Sequence, residues 1–209
     1  MAFSWLAASG VEREHQGMAV FLLALTLSAS LGGAALVWIT VLRNRLSPIT
    51  APIYAVLQGV ALGVLSVGID HRYPGIAIRA VGLTIFICVC LLIAYRFRFI
   101  RVTESFNRKL SAALAGVIVY FAVTFVIGLL WRRTLSATVG GAAGILISVV
   151  IVVIAGLALV SNFDFVVQCA ERKLPHYVEW LAAMGLLIAL VWLYIEVLDL
   201  LSKAQKNRP

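Results

Sequence analysis

Apolar residues occupy this chain in long unbroken runs parted by short polar connections, without one-sided stripes or strict alternation. Six runs, at 17–42, 49–69, 75–95, 110–131, 135–163 and 180–201, are each long enough to cross a hydrocarbon core at about 1.5 Å rise per residue. A helix that is apolar on every face is one surrounded by lipid and by other helices. The pattern predicts an all-α integral membrane protein, a single bundle of six transmembrane helices filling 17–201. A polar tail at 1–16 precedes it and a basic tail at 202–209 follows. The first run follows Glu12, Arg13, Glu14 and His15 and is too long for a signal-peptide core, so it is read as retained.

The connections are short. Residues 43–48 join the first two runs, and Asp70, His71, Arg72, Tyr73 and Pro74 supply turn chemistry to the next pair. Residues 96–109 form the most basic connection, and 132–134 a tight polar turn. The connection at 164–179 is longer, mixed in charge and divided by Pro175, and 165–174 can continue the fifth helix as an amphipathic extension. Gly59 and Gly63, and likewise Gly140 and Gly144, have the spacing that lets helix backbones approach, here within the bundle.

Composition agrees with the pattern: 63% hydrophobic and 12% charged residues exclude an ordinary soluble domain. The net charge of +8 does not point to nucleic acid, because the basic residues sit at the ends of apolar runs, where they set topology and meet anionic headgroups. With six spans the side that holds the termini collects eight Lys and Arg and the other side nine, which leaves orientation undecided by count. The basic connection at 96–109 favours both termini outside. Cys88, Cys90 and Cys169 give neither a disulfide framework nor a metal spacing, and read as small apolar packing residues.

Candidate chemistry gathers near the C-terminal end. Glu196 and Asp199 lie inside the last apolar run, three residues apart on one helix face. Asp199 has an ordinary structural reading, an ion pair one turn on with Lys203. Glu196 has no such local partner, and its structural reading is a hydrogen bond to a hydroxyl or amide on a neighbouring helix. An ionised carboxylate in the bilayer costs on the order of 3 kcal/mol. Placing a proton on a carboxyl of ordinary acidity at neutral pH costs about 3.7 kcal/mol. The two costs nearly balance, so a modest change in pH or a bound cation decides the charge, as a proton- or cation-sensitive switch requires. Gln58, mid-span, and Asn162, at the end of the fifth run, could donate to a carboxylate, and Asp164 stands in or at the edge of the membrane. Arg79 snorkels near the start of the third run. The three histidines, His15, His71 and His176, lie outside the runs, and no hydrolase or zinc motif is present, so an enzyme is not expected and no cofactor is implied. A secondary transporter would show an internal repeat and a broken helix, and neither is visible.

Several segments, in order, carry a family resemblance. They run from Pro52, Ile53 and Tyr54 through Gln58, Gly59 and Gly63, then Arg72, Tyr73, Pro74, Gly75 and Ile76. They continue with Ile100 to Thr103, Asn162 to Phe165, Glu179 to Ala183 and Val191 to Glu196. The chain resembles the Bax inhibitor family, the transmembrane BAX inhibitor motif proteins, in its bacterial YccA-like branch. That resemblance implies a multi-pass protein of a bacterial-type inner (plasma) membrane. It implies either a pH-sensitive calcium or other cation leak channel, or an interaction protein that modulates a membrane protease or a stress response. It implies seven helices, of which the first is missing from the six runs visible here, and termini facing outside. It further implies a pair of acids, one ending the penultimate helix and one in the last, whose shared proton closes the pore. The last-helix acid falls on Glu196 and its partner on Asn162, with Asp164 two residues later as a substitute. Glu196 and Asp164 are then the residues that would meet calcium in transit, with Gln58 and Asp199 as polar neighbours. The chain departs from the pattern in three places: a carboxamide at Asn162, Gln58 where relatives carry an acid, and Asp199 where they carry a base. A turn at Pro175 between straight helices would leave Asn162 and Glu196 about 12 Å out of register.

Overall fold

The computed structural model describes residues 24–71, 73–100, 102–131 and 142–206, with side chains at 128–131 and 142–143 excepted. The predicted polar tail 1–16, the turn at 132–134, Gly140 and the last three residues of the basic tail lie outside the described residues. Six helices are long and apolar enough to cross a membrane, and the described residues contain no strand. They are α1 (Ala24–Leu42), α2 (Ser47–Asp70), α3 (Ile76–Arg96), α4 (Glu104–Trp131), α5 (Ala142–Glu171) and α6 (His176–Lys206). A single 3-10 turn, Asn44–Leu46, links α1 to α2. This is the expected membrane helical bundle.

α6 is the axis of the bundle. It packs on α5 most extensively and also on α2 and α3, whereas α4 packs chiefly on α5. The core reflects this order: Leu193, Val197 and Leu198 of α6 are fully buried against Ala80 of α3 and Ala155 and Leu159 of α5. A second cluster, Ala51 and Tyr54 of α2 with Met184 of α6, takes in Leu36 and Val37 of α1. Lipid offers no hydrophobic drive between helices, so close packing and hydrogen bonds across helices hold them. Ser47 Oγ donates to the Tyr177 carbonyl, Thr40 Oγ1 to Thr50 Oγ1 at 2.6 Å, and Ser66 Oγ lies 2.7 Å from the Tyr194 hydroxyl.

Two sequence expectations change. The connection at 96–109 is shorter than the apolar runs suggested, since α4 begins at Glu104, while α5 continues to Glu171 as the expected amphipathic extension and residues 172–175 separate it from α6. Hydropathy marks where a helix enters lipid, while the helix itself continues through polar residues until a turn stops it. α6 has 31 residues, about 46 Å against a core of about 30 Å. The second change concerns Gly59 and Gly63, which are exposed with open space where a side chain would stand, so their spacing joins no helices. Close approach falls elsewhere. A methyl at Gly33 would stand 2.5 Å from Gln58 Nε2, and one at Gly185 would stand 2.6 Å from Asn162 Oδ1. The cysteines divide as small apolar residues facing core or lipid, with Cys169 buried, Cys88 half-buried and Cys90 exposed.

Candidate functional site

α5 and α6 run antiparallel in a register fixed by polar contacts at both ends. Asn162 stands beside Gly185, and Ser148 Oγ donates to Asp199 Oδ2 at 3.2 Å. The residue pairs 162 with 185 and 148 with 199 keep one register along the contact. That register places Glu196 opposite Ile151 and one helical turn from the Ser148 level.

Glu196 is 6% exposed. Its position on the α6 face that turns toward α4 and α5 comes from the apolar residues around it: Leu193 and Val197 go into the core on one side, and Ile195 outward on the other. Its Oε1 accepts a hydrogen bond from Trp192 Nε1 at 3.0 Å. The partner is thus on its own helix, one turn back, rather than on a neighbouring helix. The i,i+4 spacing of an indole and a carboxylate was the available signal. Oε2 has no hydrogen-bond partner among the described residues.

The carboxylate borders a cavity of about 450 Å³ between α4, α5 and α6, lined by Tyr120, Phe121 and Thr124 of α4, Gly144 and Ile151 of α5, and Trp192, Asp199 and Lys203 of α6. Lys203 Nζ pairs with Asp199 Oδ2 at 2.5 Å and donates to Ser148 Oγ at 2.8 Å. Asp199 and Lys203 are therefore tied to one another and to buried Ser148, as the ordinary reading of Asp199 required. Glu196 is the described carboxylate at this cavity without an ionic partner. Sequence reasoning found Glu196, Asp199 and Lys203. It missed Ser148, Tyr120, Phe121 and Thr124, because an all-apolar helix does not announce which face it turns inward.

A family model described as Bax inhibitor 1 like matches residues 1–206. The chain belongs to the Bax inhibitor 1-like family. No curated protein and no solved structure matches it.

For a Bax inhibitor 1-like protein the placement of the other polar residues matters as much as Glu196. Asn162 Nδ2 donates to the Ala158 carbonyl at 2.9 Å, and its side chain meets α6 at Gly185, eleven residues and about 16 Å from Glu196 along the axis. Asp164 accepts from the Tyr95 hydroxyl at 3.0 Å and from Gln168 Nε2 at 2.6 Å, so both of its oxygens are engaged. It lies toward the end of the bundle opposite to the Glu196 cavity. Gln58 packs against Gly33 of α1. Neither Asn162, Asp164 nor Gln58 joins Glu196, and among the described residues no two-carboxyl pair with a shared proton is assembled. Among the described residues no group of three or more His, Cys, Asp or Glu gathers as a metal site.

Proposed function

We propose that this Bax inhibitor 1-like protein is a non-enzymatic cation leak pathway of a bacterial-type inner membrane, in the YccA-like branch, with calcium as its cargo and Glu196 as the residue whose proton decides passage. One observation carries the reading: a carboxylate buried in a membrane-crossing helix, with one oxygen unpaired among the described residues, beside a cavity of about 450 Å³. A group of this kind is rare inside membranes and marks ion or proton routes. The ionised form attracts a cation into the cavity; the protonated form removes that attraction. Among the described residues, the polar groups that line the cavity with it are Tyr120 and Thr124 from α4 and Trp192, Asp199 and Lys203 from α6, while Ser148 of α5 bonds Asp199.

Between the Glu196 cavity and Asp164, at the opposite end, lie the buried residues Ala155, Leu159, Ala189 and Leu193. A through-path is therefore shut in this arrangement, and conduction requires α4 and α5 to shift against α6. Asp164 would serve as the cation-attracting acid of the far side. The test is calcium flux into liposomes at pH 6, 7 and 8. Wild type gives flux that rises with pH, and Glu196→Gln gives low flux that no longer responds to pH. Equal, pH-independent flux in both contradicts the reading.

The second reading is a non-conducting interaction protein that modulates a membrane protease or a stress response. It is favoured by Asn162, which stands where the family resemblance expects an acid and bonds its own helix. Absence of flux at every pH, with a partner whose co-purification survives Glu196→Gln, supports it.

A further inference from the structure

The lining of the Glu196 cavity is not that of a site for a small hydrated ion alone. Three aromatic side chains, Tyr120 and Phe121 from α4 and Trp192 from α6, surround the space with the buried carboxylate. Tyr120 and Phe121 form an edge-to-face pair with ring centroids 5.6 Å apart. Trp192 is held beside the carboxylate by its indole N–H. Aromatic faces attract cations, most strongly when water is excluded, and they tolerate the bulky, poorly hydrated cations that an inorganic ion site rejects. The remaining charges at the cavity cancel: Lys203 is paired with Asp199 and bonded to Ser148. Among the described residues at the cavity, the unbalanced charge is that of Glu196. The volume, about 450 Å³, is that of a site for a small organic molecule.

We propose that the cavity between α4, α5 and α6 binds a lipophilic organic monocation, its charged centre against Glu196 and its apolar body against Tyr120, Phe121 and Trp192. Such a molecule enters from the lipid, where α4 packs chiefly on α5 and leaves the side toward α6 loosely closed. A proton and the cation compete for the one carboxylate, with Tyr120, Asp199 and Lys203 the other titratable groups that face it. The inference concerns the same cavity as the leak pathway but does not need that pathway to conduct, and a binding assay reads it independently of flux.

The probe is tetraphenylphosphonium, a permanent cation without a titrating group, measured by equilibrium dialysis against the purified full-length protein in detergent. A neutral companion, triphenylphosphine oxide, is run beside it. Wild type shows saturable binding of the cation near one per chain, at least tenfold tighter than the neutral compound and weaker at pH 6 than at pH 8. Glu196→Gln weakens cation binding at least tenfold, and Tyr120→Ala weakens it roughly threefold to tenfold. Size-exclusion profiles and helix content check that each variant folds, and Tyr120→Ala, which leaves the carboxylate in place, carries the test if Glu196→Gln does not. Absence of saturable binding in wild type overturns the proposal. So does equal binding of the neutral compound, which makes the cavity an apolar hollow only, or cation binding unchanged in the folded variants.

Discussion

The two ends of the α5–α6 hairpin each hold an acid, and they are built differently. At one end Asp164 has both oxygens engaged, by Tyr95 of α3 and by Gln168 one turn along α5. At the other end Glu196 has one oxygen engaged, by Trp192, and the other beside open space. A carboxylate with both oxygens engaged is a structural element, since the Tyr95 bond pins α3 to α5 and the Gln168 bond holds the carboxylate in place. One left half-satisfied beside a cavity has capacity to spare for a proton or a cation. The difference teaches that, in a membrane bundle, the count of satisfied oxygens says more about role than the presence of the acid.

The largest expected effect is on transport. Glu196→Gln removes the pH response of calcium flux while Asp164→Asn keeps it, as measured in the same liposomes; the reverse pattern would interchange the two roles. Next is stability: Asp164→Ala leaves the Tyr95 hydroxyl and the Gln168 amide without their acceptor and lowers stability by about 1–3 kcal/mol, read by thermal unfolding in detergent. Glu196→Ala, by contrast, changes stability little, because the acceptor lost to the Trp192 indole is offset by removing a carboxyl that is costly to bury. Gly185→Ala pushes a methyl to 2.6 Å from Asn162 Oδ1 and costs roughly 1–3 kcal/mol in the same assay, with the register of the hairpin as its target. Smallest is Ser148→Ala, which frees the Lys203–Asp199 pair from α5 at a cost under about 1 kcal/mol, visible as faster hydrogen exchange at the end of α6.

The bundle was legible because lipid enforces a simple rule, and six apolar runs longer than 18 residues admit few other structures. Helix ends were less evenly legible: the extension of α5 through Phe165 to Glu171 was expected from its amphipathic pattern, whereas Glu104 to Lys109 is helical within what read as a basic connection. Glu196 stood out because an acid in an apolar run is expensive, but the cavity beside it did not, because Tyr120, Phe121 and Thr124 look like any other residues of a lipid-facing helix. The glycines show the same limit. Gly59 and Gly63 have the glycine spacing associated with contact and face outward, while Gly33 and Gly185, spaced four residues from the buried alanines Ala29 and Ala189, meet Gln58 and Asn162. Spacing records what a helix permits; only the neighbouring helix decides which face is used.

The contrast between the two acids is most directly tested by a lipophilic carbodiimide, which modifies protonated carboxyls that lie within apolar surroundings. After brief exposure of the protein in lipid, peptide mass spectrometry should find the label on Glu196, diminishing as pH rises and in the presence of calcium, with Asp164 unmodified. Label on Asp164 at an equal or greater rate, or a Glu196 that fails to react at any pH, would contradict the account.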